Sequence, residues 1–135
     1  MIEQYLHKDL TEKIIKAFYK VYNTLGYGFL EKVYENALLI ELREMGLQVE
    51  QQKLLKVYYG QYLVGEYFAD LVIEGVVLLE LKAVETLHPT HHAQILNYLK
   101  ATEIEIGLLL NFGLKPEIGR KIFTNDRKTP KLKSE

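Results

Sequence analysis

The sequence has no cysteine and no tryptophan, and only three prolines and two methionines among its 135 residues. Without cysteine there is no disulfide framework, no thiolate nucleophile and no sulfur-based zinc site, which suits a reducing cytoplasm. A long apolar run is missing too: none approaches the roughly 20 residues a membrane-spanning helix needs. The opening MIEQYLHKDLTEK lacks the apolar core of a secretory signal. A soluble, cytoplasmic protein with no membrane partner is expected. Nor does one charge dominate, since seventeen Lys and Arg face eighteen Asp and Glu for a formal charge of −1. No overall basic field therefore advertises a polyanionic partner. The balance is uneven, however: residues 1–113 carry ten basic and fifteen acidic side chains, and residues 114–135 seven and three.

With 48% hydrophobic and 26% charged residues, the chain has material for one core and no room for a second. Residues 1–123 read as one domain and 124–135 as a basic, flexible tail. Leu10, Ile14, Ala17, Phe18, Val21 and Leu25 recur at helical steps over residues 9–25, with Asp9 or Thr11 able to cap the start and Gly26 to end it. A second helix is expected from about Leu30 to Met45, stopped by Gly46. From Leu47 the period changes to two, through LQVEQQKLLKVYY and YLVGEYFADLVI, with a hairpin turn at Gly60-Gln61. VVLLELKAV is nearly continuously apolar, as a central strand covered on both faces should be. Pro89 opens a third helix, PTHHAQILNYLKAT, and residues 104–112 form the last expected strand, reached by a right-handed crossover and so parallel to its neighbour. The order is α-α-β-β-β-α-β, and beyond it the pattern weakens into a polar tail.

Asp70, Glu80 and Lys82 stand out because they lie within the most apolar strands, where an ionised group is costly unless paired or bound to a metal. Glu80 and Lys82, two apart, share a strand face. Whether Asp70 joins them depends on the loop between their strands. A two-residue turn at Glu74-Gly75 pairs Asp70 with Leu79 and sends it to the opposite face. A three-residue loop, Ile73-Glu74-Gly75 with a left-handed Gly75, sets Asp70 opposite Leu78 and diagonal to Glu80, and all three groups converge. Two carboxylates and an ammonium suit Mg²⁺, whose shell is completed by water and substrate phosphate. The alternative is an ordinary Glu80–Lys82 ion pair on a half-exposed strand, with Asp70 a hairpin residue.

GFLEKVY at residues 28–34 matches the motif of the GxxExxY family, and ADLVI…ELK at 69–82 matches the Asp…Glu-x-Lys signature of PD-(D/E)XK nucleases. Gln94-Ile-Leu-Asn-Tyr98 is similar to the QxxxY element that follows that signature in RecB-like and Cas4-like members. The resemblance covers roughly residues 8–123, with Ala69 where the superfamily name has proline. It implies an α/β, restriction-endonuclease-like αβββαβ core: a four-stranded mixed sheet flanked by helices, preceded here by an extra N-terminal helix. It also implies a metal-dependent nuclease using Mg²⁺ or Mn²⁺ on DNA or RNA. Asp70 and Glu80 become metal ligands, with the Leu81 carbonyl and Glu31 as further ones. Lys82 assists the attacking water, Gln94 contacts nucleophile or phosphate, and Tyr34 and Tyr98 support the site by packing. Gly28 permits the turn into the helix.

Other groups have plainer readings. His88 and His92 are four apart, yet His88 precedes the helix and no well-spaced third ligand accompanies them, so zinc is disfavoured. A histidine facing substrate fits better. Tyr58, Tyr59 and Tyr62 around the hairpin follow amphipathic faces and need no base-stacking role. Arg120, Lys121, Arg127, Lys128, Lys131 and Lys133 can reach phosphates or stay solvated. The competing function is a nucleic-acid-binding, regulatory or interaction module on the same fold, and a homodimer or a partner protein is compatible with either.

Overall fold

The computed structural model describes residues 6–128. Helix α1 (Lys8–Leu25) buries Ile14, Ala17, Phe18 and Val21, the stripe its spacing predicts. His7 precedes its first turn, so neither Asp9 nor Thr11 is the cap; the Thr11 hydroxyl instead donates to the Lys8 carbonyl. Gly26, at φ 73°, ends it. Helix α2 (Glu31–Glu44) follows, with Gly46 left-handed behind it. Strands β1 (Val49–Tyr59) and β2 (Tyr62–Ile73) form the long hairpin, turning at Gly60-Gln61 as expected. Then come β3 (Val77–Lys82), α3 (Pro89–Lys100), β4 (Ile106–Phe112), β5 (Pro116–Ile122) and a short 3₁₀ turn, Asn125–Arg127.

The strands lie in the order β1-β2-β3-β4-β5, so β3 is central as its unbroken apolar run requires, and β3 and β4 are parallel. The expected four-stranded sheet is corrected to five. Residues 116–122, read as the start of a polar tail, pair antiparallel with β4 from Ile106↔Ile122 to Phe112↔Pro116. The backbone ladder, rather than an apolar pattern, makes this edge strand. Arg120 on it donates to Thr11 Oγ1 and to the Leu6 carbonyl, tying the edge to the start of α1.

One apolar cluster fills the α1/α2 side of the sheet, including Phe18, Leu38, Leu79 and Leu110, and a smaller one joins Leu78 and Leu109 to Ile95 and Leu99 of α3. In the first, the Tyr34 ring stacks on Phe112 at 4.4 Å, while its hydroxyl donates to the Gly26 carbonyl and accepts from the Phe29 N–H at 3.1 Å. Tyr34 thus holds the α1–α2 loop and, with it, the start of α2. A second lock lies beyond β3. The wholly buried Asn111 accepts from the Val84 N–H at 3.0 Å and donates to the Val84 carbonyl at 2.9 Å and to Glu117 at 2.7 Å. A side chain at Gly113 would stand 2.1 Å from the Val84 oxygen, so the chain after Lys82 is held from two directions.

The hairpin also rolls over along its length. Leu71 and Ile73 pack on the α1/α2 side, whereas Leu55 and Ala69, at the same parity, pack on the α3 side. The reversal falls at Gln52 and Asp70, where Gln52 has φ 54°, a left-handed conformation that costs a non-glycine residue about 1 kcal/mol or more.

Candidate active site

The β2–β3 ladder runs through Ile73↔Val77, Val72↔Leu78 and Leu71↔Leu79, a register that sets Asp70 directly against Glu80. The connecting loop has three residues, the parity that brings the acids together, but they are Glu74, Gly75 and Val76. Both Glu74 (φ 53°) and Gly75 (φ 70°) are left-handed, and the Val76 N–H donates to the Ile73 carbonyl. Asp70 therefore faces Glu80 rather than Leu78. At this point side chains take over from the ladder. The Asp70 N–H donates to Glu80 Oε2 at 3.1 Å, and the Leu81 N–H donates to Asp70 Oδ2 at 2.8 Å. Each carboxylate satisfies a sheet amide that an antiparallel partner would otherwise serve.

A further acid that sequence reasoning missed lies beside them. Glu35, 2% exposed, pairs with Lys32 at 3.0 Å and accepts from Gln51 at 2.7 Å and from Gln52 at 3.1 Å. Gln52 also donates to Asp70 Oδ1 at 3.3 Å, completing a chain from α2 through β1 to β2. The left-handed Gln52 lets two successive residues of one strand reach the same carboxylate. Glu31 and Glu35 are one helical turn apart, and that i,i+4 spacing is the signal the sequence held.

Negative charge dominates the electrostatics. Glu80 is 6% exposed, and burial, then the charge of Asp70, raises its pKa from 4.5 to about 8, against the lowering effects of the Asp70 N–H and Lys82. Asp70 is also raised, chiefly by burial and next by Glu35 among the charges, while its hydrogen bond from the Leu81 N–H opposes this. Glu31 is raised by burial and then by Asp70. A carboxyl that stays protonated in the fold while ionised in the unfolded chain makes the folded state bind more protons, so stability falls as pH rises. The metal-free protein should accordingly lose stability between pH 4.5 and about 8. Glu80→Gln removes the share of that loss that belongs to Glu80. We expect it to raise the melting temperature of the EDTA-treated protein at pH 8.5 by about 3–6 °C, with the two proteins converging at acid pH. Calorimetry across this range checks it, and a variant that melts lower at pH 8.5 would contradict it.

Lys82 shares the face of Glu80 on β3 and acts on Glu31, Asp70 and Glu80 through its charge. Glu80 and Lys82 form no ion pair among the described residues, so the plain ion-pair alternative does not describe them. Glu31 opens α2, where the helix dipole favours a carboxylate. Tyr98 packs its ring 5.4 Å from Tyr67, and its hydroxyl is pushed up to about 12 by burial, then by Glu80. Gln94, one turn earlier on α3, is exposed and has no hydrogen bond to the acids. His91 Nδ1 accepts from the His88 N–H at 3.1 Å, so these two close the start of α3; Lys82 contributes to lowering His91, after burial. Of the basic residues near the C-terminus, Arg120 and Lys128 hold backbone carbonyls, and Lys131 and Lys133 lie outside the described residues.

As a cation site, the side-chain donors brought together at the strand parting are hard oxygens, those of Asp70 and Glu80. No group of three or more His, Asp or Glu side chains converges as a ligand set among the described residues. Two carboxylates with the remainder of the shell left to water and phosphate is the manner in which Mg²⁺ is held, and the donor set fits it. A family model described as the PD-(D/E)XK nuclease superfamily matches residues 8–121, from α1 into β5. No curated protein and no solved structure matches the chain.

Proposed function

The chain belongs to the PD-(D/E)XK nuclease superfamily, and from that premise we propose that it is a metal-dependent nuclease that hydrolyses phosphodiester bonds in nucleic acid, DNA in the first instance, within its GxxExxY branch. The observation that carries this reading is the parting of β2 and β3, where Asp70 and Glu80 face each other with Lys82 beside them. Asp70 and Glu80, with the Leu81 carbonyl, would hold Mg²⁺ or Mn²⁺, and Glu31 of α2, whose charge is coupled to that of Asp70, would be the further ligand the resemblance implies. The ion, when bound, neutralises phosphate charge and makes water a better nucleophile. Lys82 orients that water and offsets the charge that grows on phosphorus oxygens during attack. The water oxygen bonds to phosphorus as the P–O ester bond breaks; the water gives up one proton and the leaving oxygen takes one up, so the products are a phosphate monoester and a free hydroxyl. Glu35 and the two glutamines fix the Asp70 carboxylate, and the Asn111 lock fixes the chain behind Lys82. Gln94 and Tyr98 line the approach along α3. The absence of cysteine suits a cytoplasmic setting, and a homodimer or partner protein would extend a substrate surface that is small on one chain.

Labelled single-stranded, duplex and branched DNA, and RNA, incubated with protein and Mg²⁺, Mn²⁺ or EDTA, test the assignment. Cleavage that EDTA abolishes and Mg²⁺ or Mn²⁺ restores is expected. Salt-sensitive binding with no product on any substrate would replace it with the non-catalytic binding module.

A further inference from the structure

Past the rollover at Gln52 and Asp70, the β1–β2 hairpin leans toward α3 and encloses with it a groove of about 1100 Å³. The hairpin wall carries Tyr58, Tyr59 and Tyr67, and the α3 wall carries Gln94, Asn97 and Tyr98. Tyr59 is 78% exposed and Tyr67 46%, so both rings are accessible on the hairpin wall, in place of the purely amphipathic reading of the hairpin tyrosines. One end of the groove is basic. The Lys100 ammonium lies 5.6 Å and the Arg127 guanidinium 4.7 Å from the Phe123 ring, and Lys128 is held by the Thr102 and Ile104 carbonyls. The other end is Tyr98, in ring contact with Tyr67 and close enough to Glu80 and Asp70 to be raised by their charges after burial. The groove thus runs from a cluster of cations to Tyr98, which packs in one apolar cluster with Ala69, the residue before Asp70 on β2.

We propose that this groove holds a single strand of nucleic acid, with unpaired bases stacked on Tyr59 and Tyr67 and phosphates facing the Lys100 end, so that the strand is delivered to Asp70 and Glu80. This assignment of substrate class rests on the nuclease reading above. Exposed aromatic rings beside fixed cations are the combination that binds single strands without sequence preference, because every base has a π-face and every phosphate a charge. A duplex keeps its bases stacked within the helix and offers none to the rings. Gln94 and Asn97 supply amide donors and acceptors to base edges. A peptide would use the apolar surface but would not match the positive charge that Lys100 brings to it.

Fluorescence anisotropy in EDTA separates binding from turnover, using labelled short oligo(dT), oligo(rU) and a dT·dA duplex. The single strands should bind more tightly than the duplex and release with salt. Tyr59→Ala and Tyr67→Ala should each weaken binding about fivefold or more, the low end of a lost base–aromatic stack. Lys100→Glu should weaken binding and flatten its salt dependence. A preference for dT or rU identifies the sugar and supports the groove in either case. Equal affinity for the duplex, or tyrosine variants that bind single strands like the parent, overturns the proposal. So does a dimer, seen by sedimentation, that Tyr59→Ala dissociates without change in nucleic-acid affinity. Tyr59-dependent binding without cleavage under Mg²⁺ retires the nuclease reading alone. Cleavage with unchanged binding in the variants retires the groove alone.

Discussion

Asp70→Asn should lower metal-dependent cleavage by about a thousandfold or more while the protein folds normally. The size follows from the several kcal/mol a hydrolytic metal ion supplies to the transition state, at 1.36 kcal/mol per tenfold. Asparagine keeps an oxygen that can accept from the Leu81 N–H, so the sheet is preserved while one negative charge is lost. Lys82→Met should fall comparably, through charge stabilisation on phosphate and not through metal affinity, which calorimetric titration with Mn²⁺ separates. Asp70→Asn should lose Mn²⁺ binding and Lys82→Met should retain it. Full cleavage by either variant would remove the assigned site.

Asn111→Leu is expected to destabilise the fold by about 2–4 kcal/mol, because each buried polar group left without its partner costs about 1–3 kcal/mol. Leucine has the same number of side-chain heavy atoms, branched at the same carbon, but none of the polar ones, so the loss reports chiefly on the hydrogen bonds to Val84 and Glu117. Domain stability is typically about 5–15 kcal/mol, so this is a large fraction. Chemical denaturation should show a lower midpoint with an unchanged slope. The effect should reach the site as well, since Val84 lies two residues after Lys82: kcat should fall in the folded variant while Mn²⁺ affinity is maintained. A variant as stable as the parent would show that the Val84 contacts contribute nothing net.

Much of this arrangement was legible in the sequence, and the gaps have physical reasons. The helices and the central strand were readable because their apolar residues are spaced for burial, and Gly26, Gly46 and the Gly60-Gln61 turn marked the ends. Loop parity left the meeting of Asp70 with Glu80 open between a two- and a three-residue turn, and two left-handed residues settled it with a three-residue loop one position later than expected. Strand β5 was missed because PEIGRKI has only Ile118 and Ile122 as large apolar residues and is held by backbone pairing. Glu35 was not singled out, although its four-residue spacing from Glu31 put it on that residue's face. Asn111 read as the end of a strand, because a polar residue in an apolar run looks the same whether it faces water or clamps a loop. The groove was beyond reach: the tyrosines were visible, but the hairpin's rollover depends on the unusual backbone of Gln52.

The two amides at the parting of β2 and β3 have a consequence for how this sequence tolerates change. Because Asp70 and Glu80 serve backbone N–H groups as well as a cation, replacing either by an apolar residue leaves a sheet amide unserved. Asparagine and glutamine retain the acceptor and discard only the charge. Along a mutational path that preserves folding, the most accessible step away from chemistry at these positions is therefore an amide, and the nearest inactive neighbour of this protein is one with its sheet intact.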